Sequence, residues 1–210
     1  MKCSEICALI EQEYGTEYAC DWDNVGLLAG RSTKEVKKIL LSLDATDEVV
    51  RMAAEGGYDM LITHHPMLFS AIKRVTDQDM NGRRLLELIR NDISYYAMHT
   101  NYDTRGMADL AARLMGLTEC AVLEEVKDGE GIGRVGKLPH PMTLRECGEQ
   151  VKVAYGIPNV RLFGNPDTQV SLVGICPGAG KSTMPLALGF GCDVYITGDI
   201  DHHTGIDAVD

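Results

Sequence analysis

Apolar positions at Cys3, Ile6, Cys7 and Ile10 have the spacing of an amphipathic helix over residues 3 to 14. The turn-rich Trp22-Asp23-Asn24-Val25-Gly26 then leads into the apolar Leu27-Leu28-Ala29. Lys38-Ile39-Leu40-Leu41-Ser42-Leu43-Asp44 predicts a strand with an acidic tip. Thr46 or Asp47 can cap a helix running to Glu55, which Gly56-Gly57 stops, and a second strand runs from Asp59 to Thr63. This strand-helix-strand unit predicts a parallel sheet with a right-handed crossover. Residues 83 to 90 predict a helix with Leu85, Leu86 and Ile89 inward. Ile93 to Met98 predicts a strand, and Met107 to Met115 a helix ended by Gly116.

Residues 124 to 136 are rich in Gly, Glu and Asp and read as a domain boundary or mobile loop. The expected division is therefore a first α/β domain over residues 1–122 and a second over 123–210. In the second, Thr143 to Tyr155 is helical, with Leu144, Cys147 and Val151 as its apolar stripe; Val160 to Phe163 and Val170 to Ile175 read as strands. Gly191-Cys192-Asp193-Val194-Tyr195-Ile196-Thr197 echoes Gly57-Tyr58-Asp59-Met60-Leu61-Ile62-Thr63. Each copy precedes a histidine pair, His202-His203 or His64-His65, so the chain reads as two related α/β units.

Composition narrows the function classes. A hydrophobic content of 45% and a charged content of 24% over 210 residues suit a globular chain with a sizeable core. A net charge of −11 argues against a nucleic-acid or anionic-membrane surface. Seven cysteines without a CxxC pair read as reduced thiols. With neither a signal peptide nor an apolar run long enough to span a bilayer, the expected location is cytoplasmic.

The candidate chemistry sits at predicted strand ends. Met60-Leu61-Ile62-Thr63 delivers His64 and His65, and Pro66 forces the chain out of the sheet. Neighbouring strand residues face opposite ways, so the two imidazoles converge only if the backbone turns there. Asp44 ends the adjacent strand, and His99-Thr100-Asn101-Tyr102-Asp103 follows the next. Ligands of parallel sheets gather at such carboxyl ends.

His64, His65 and Asp103 are the metal candidates, since imidazole and carboxylate suit zinc, manganese, iron and similar divalent ions. Asp103 can bridge two cations about 3.5–4 Å apart. Asp44 and His99 are candidates to orient a ligand, and His99 reads equally as a satisfied core histidine. Asn24, with Asp23, either forms a turn or lines a pocket rim. His203 and Asp207 share a helical face; they could bind the ion directly or only start a capped helix, and the favoured reading is a pair that supports a ligand from behind or walls the pocket. Cys176 to Thr183 resembles a phosphate-binding loop, but Ile175 stands where its first glycine belongs, so an NTPase reading is rejected.

Together Asp23-Asn24-Val25-Gly26-Leu27, Ile62-Thr63-His64-His65-Pro66, His99-Thr100-Asn101-Tyr102-Asp103 and Thr197-Gly198-Asp199-Ile200 with His203 and Asp207 resemble, in order, the motifs of the NIF-three-like family, whose bacterial members are labelled GTP cyclohydrolase I type 2 homologues. The resemblance implies two related α/β domains with a dinuclear metal site in the cleft between them, and a ring-shaped homohexamer. It makes His64, His65 and Asp103 ligands of two divalent ions, with Asp103 as the bridge. It further implies a hydrolase whose metal-activated water acts on a nucleotide such as GTP or a related heterocycle. The alternative is a metal-binding scaffold or regulatory protein without turnover. The family's remaining His and Glu ligands follow one more strand. This sequence stops at Asp210, so it is expected to be truncated, unless His202, His203 and Asp207 substitute.

Overall fold

The computed structural model describes residues 1–209, which fall into two compact units, Met1–Tyr102 and Asp103–Asp210. Asp210, on which the expectation of a chain ending within a helix falls, lies outside the described residues.

In the first unit, Cys3–Glu13 forms α1 and buries Cys3 and Cys7. Gly26–Ala29 is β1, Ile39–Ser42 is β2, Asp47–Glu55 is α2 and Met60–Thr63 is β3. Met80–Arg90 is α3, Ser94–Ala97 is β4 and Thr100–Tyr102 is the single turn α4. Thr46 caps α2 by accepting from the Val49 amide, and Asp79 caps α3 by accepting from Gly82. The sheet order is β1-β4-β3-β2, with β2, β3 and β4 parallel and β1 antiparallel at one edge. The two inner strands are buried at every position, as a sheet covered on both faces requires. Ala53, Leu61, Leu88 and Tyr95 form one core and Cys3, Met60 and Tyr96 another. The carboxyl ends of three parallel neighbours thus lie side by side, the placement that the strand-tip residues require.

The second unit opens on a π-helical turn, Asp103–Met107, and Ala108–Leu114 is α5. Thr118–Lys127 is β5 and Glu130–Thr143 is β6, an antiparallel hairpin. Residues 124 to 136, expected as a boundary or loop, are thus mostly ladder. The expected boundary after residue 122 falls inside β5, whose partner β6 lies in the same unit. Leu144–Tyr155 is α6, closed by a capping box between Thr143 and Glu146 and ended by Gly156. Gln169–Cys176 is β7, Met184–Gly189 is α7, Val194–Thr197 is β8 and His202–Asp207 is α8. The sheet order is β5-β6-β7-β8, with only β7 and β8 parallel. Residues 160–163, expected as a strand, join no ladder. Val160 and Leu162 instead approach Gly148 on α6, and Phe163 lies against Gly205 on α8.

The echoed segments are structurally equivalent. Asp59 Oδ2 accepts from the Lys37 and Lys38 amides, and Asp193 Oδ2 accepts from Ser171 and Leu172. Each aspartate ties the start of its strand to the start of the parallel neighbour. The backbone amides donate to these carboxylates and hold both below the ordinary carboxylate range; at Asp193 they outweigh burial, the largest influence and an opposing one. A carboxyl whose folded pKa is depressed adds stability that is complete above its unfolded value and fades as pH falls through the folded one. The urea midpoint should therefore drop on acidification below about pH 4. Asp59→Asn and Asp193→Asn should each cost about 1 kcal/mol at neutral pH and flatten that drop. An unaltered acid limb in both variants would assign it to other carboxyls.

Candidate metal centre

Three imidazoles converge at the carboxyl ends of β3 and β4. His64 and His65 leave β3, His99 follows β4, and one ligand atom from each lies within 4.8 Å of the others. Donors on opposite sides of one ion at ~2.1 Å stand ~4.2 Å apart, so the cluster is close to the span that one divalent ion needs. Ring centroids are 4.8 Å apart for His64–His65, 5.1 Å for His64–His99 and 5.6 Å for His65–His99.

The backbone turn demanded by two adjacent histidines is held by buried hydroxyls. The Thr63 hydroxyl donates to the His65 carbonyl at 2.8 Å, and the Tyr95 hydroxyl accepts from the Met67 amide at 2.7 Å. Tyr95 is fully buried, and its hydroxyl lies 2.9 Å from that of Thr63. These bonds satisfy the groups that Pro66 and the departing chain take out of the ladder. The amides of His64 and His65 still donate to Ser42 and Leu43. The pair is thus clamped to the tip of β2.

Each imidazole is oriented through Nδ1. His64 Nδ1 lies 3.0 Å from the Met98 carbonyl, His65 Nδ1 2.9 Å from Asp44 and His99 Nδ1 3.0 Å from Asp23. An Nδ1 that donates to such an acceptor places the ring's lone pair on Nε2, the pattern of metal-ligating histidines. Burial, aided by the nearby His99 and opposed by the Met98 carbonyl, depresses the His64 pKa to about 4. The ring is therefore neutral near pH 7, the state a ligand must have.

Asp23 is the residue whose role the sequence understates. Its side chain is fully buried, and it accepts from His99 Nδ1, the Thr100 amide at 3.0 Å and the Thr100 hydroxyl at 2.5 Å. Burial alone would raise its pKa; the hydrogen bonds from His99, Thr100 and Asn24 overcome this and hold it at about 2. The Asn24 side chain donates to the Leu68 carbonyl at 2.5 Å, fastening the loop after His65 to the turn before β1. Trp22 and Phe69 flank this connection, with rings 6.0 and 5.6 Å from that of His99.

The first unit thus gathers His64, His65, His99 and Asp44, with Asn24 bracing the loop. His99 is an equal member of the cluster rather than an outer support. Asp103, His203 and Asp207 belong to the second unit. Asp103 opens the π-helical turn, and His203 and Asp207 lie on α8, whose start Asp201 caps through the Thr204 amide. The phosphate-loop look-alike folds onto its own sheet. The Gly178 carbonyl accepts from the Gly198 and Asp199 amides, and the Gly180 amide donates to the Thr197 hydroxyl. The second unit also holds a mostly apolar cavity of about 770 Å³, lined by Leu110, Val151, Tyr155, Ile175 and Ile196 among others. None of the three clustered histidines lines it.

The donor chemistry of the three imidazoles fits a divalent transition-metal ion. A protein of Clostridium perfringens named GTP cyclohydrolase 1 type 2 homolog is 35% identical over 207 residues, covering 97% of this chain and 79% of its own. A hypothetical protein of Staphylococcus aureus has a crystal structure that matches with a TM-score of 0.87 at 30% identity, over 99% of this chain and 82% of that one. The fold is also that of a Bacillus cereus protein related to NIF3, with a TM-score of 0.92 at 24% identity over 99% of this chain and 85% of that one. The family model for Duf34/NIF3 (NGG1p interacting factor 3) matches residues 1–210. A histidine cluster at adjoining strand ends and a match along the whole chain lead to one conclusion: this protein belongs to the NIF3 family.

Proposed function

We propose that this chain is a divalent-metal-dependent hydrolase acting on a nucleotide such as GTP or a related heterocycle. The observation that carries the reading is the convergence of three imidazoles, each fixed through Nδ1 by a carbonyl or carboxylate. His64, His65 and His99 hold the metal, while Asp44, Asp23 and the Met98 carbonyl keep the rings in register. Two ions, zinc, manganese, iron or similar, are the proposed complement, with Asp103 as the bridging ligand implied by family resemblance. The irregular π-helical turn at Asp103 supports a functional role, since such turns recur at working sites. Metal held there supplies Lewis acidity towards water and towards the anionic part of a substrate. Support for a nucleotide comes from the name carried by curated relatives.

A cytoplasmic homohexamer is proposed with it. Ile39 and Leu41, exposed on the edge strand β2, and Leu43 just beyond it support an associating surface. Among the described residues no helix is long and apolar enough to cross a membrane.

The test combines metal analysis with GTP turnover by the wild type and His65→Ala. Turnover that requires both added metal and His65 supports the hydrolase. Stoichiometric metal with no turnover on a nucleotide panel supports the second reading, a metal-binding scaffold or regulatory protein. One observation favours that second reading: Asp23 and Asp44 each hydrogen-bond to a clustered imidazole and are committed to orienting it.

A further inference from the structure

Beside the histidines stand two aromatic rings that belong to no buried core. Trp22 is 61% exposed and Phe69 46% exposed, yet their rings lie 6.0 Å apart and nearly parallel, at 12°. Each presents itself edge-on to His99, at interplanar angles of 73° and 76°. The backbone beneath them is fixed: Asp23, next to Trp22, is locked by His99 and Thr100, and the Leu68 carbonyl, next to Phe69, accepts from Asn24. A stacked, exposed and anchored aromatic pair at the rim of a ligand cluster is a surface prepared for another flat ring.

We infer that Trp22 and Phe69 form a stacking platform for the planar heterocycle of the substrate, so that the specificity of the histidine site is for a ring and not for a phosphate or sugar alone. This rests on reading the cluster as a nucleotide site. Stacking on an aromatic face accepts any flat π-system and is worth a large share of base affinity where it occurs. The ring of His99 adjoins both platform residues and lies 5.6 Å from that of His65, so a heterocycle on the platform borders the metal ligands directly. The net charge of −11 makes a free nucleoside or nucleotide the fitting occupant rather than a polynucleotide. Asn24 becomes a positioning residue for Phe69 through the loop it fastens.

Trp22 is the only tryptophan, so its emission reads the platform without labelling. The metal-loaded full chain is titrated with guanosine, GTP, ribose 5-phosphate and inorganic triphosphate, exciting at the red edge of tryptophan absorption. Guanosine and GTP should quench saturably, while ribose 5-phosphate and triphosphate should leave the emission unchanged. Phe69→Ala should weaken guanosine binding roughly tenfold, and Phe69→Tyr should restore it. Because Phe69 is exposed, an unchanged circular dichroism spectrum is expected in both. Equal quenching by ribose 5-phosphate, or guanosine affinity indifferent to Phe69→Ala, overturns the platform. So does emission that follows protein concentration and not nucleoside, which would make the rings a self-association contact. Guanosine binding without turnover of any nucleotide would sink the hydrolase and leave the platform standing. Turnover with an unaltered KM in Phe69→Ala would do the reverse.

Discussion

Replacing Asp23 by alanine is expected to lower the unfolding free energy by about 3 kcal/mol and to weaken divalent-ion binding about 10–100-fold. The carboxylate is wholly buried and accepts from His99 Nδ1, the Thr100 amide and the Thr100 hydroxyl, while its other oxygen accepts from the Asn24 amide. Alanine leaves those donors without their acceptor in a dry setting, which costs more than the bonds were worth. It also frees the His99 ring to rotate. Asp23→Asn preserves shape and one acceptor oxygen, so it should recover most of the stability and less of the affinity. Urea unfolding measures the first quantity, and zinc titration against a competing chelator the second. Full zinc affinity in a folded Asp23→Ala protein would remove His99 from the ligand set.

Gly30→Ala should be similarly costly, about 3–4 kcal/mol, although Gly30 touches no ligand. Gly30 ends β1 with φ of 98°, a conformation that side chains other than glycine's rarely adopt. A Cβ built there would sit 2.6 Å from the Ser94 Cα on the neighbouring strand β4. Backbone cannot yield as a flexible side chain can, so β1 must shift from β4. β4 leads directly into His99, and a shifted β4 should loosen the histidine cluster as well. Thermal unfolding should show a lower midpoint, and zinc affinity should fall with it. A wild-type midpoint would mean that β1 adjusts without strain.

The parallel half of the first sheet was legible because its signals are local. Thr46 caps α2, Gly56-Gly57 ends it, and the alternation of apolar runs with acidic or imidazole tips places Asp44, His64 and His65 on adjoining strand ends. The hairpin of β5 and β6 was misread because its glycines and acids look like a breaker. Its decisive signal was two residues long. Asp128 and Gly129 both have positive φ, 52° and 78°, the Asp-Gly pairing that tight hairpins use. Asp23 and the full standing of His99 were hidden for a different reason. The two residues are 76 apart in sequence, and no periodicity reports a hydrogen bond across that gap. Which carboxylate reaches which ring is a property of the assembled sheet.

The three clustered imidazoles have different backing. His64 leans on the neutral carbonyl of Met98, whereas His65 and His99 lean on the carboxylates Asp44 and Asp23. An anion behind the ring enriches the opposite nitrogen in electron density, and a carbonyl dipole does so more weakly. One residue type thereby supplies two strong electron-pair donors and one weaker one, a gradation written into the scaffold rather than into the side chains themselves.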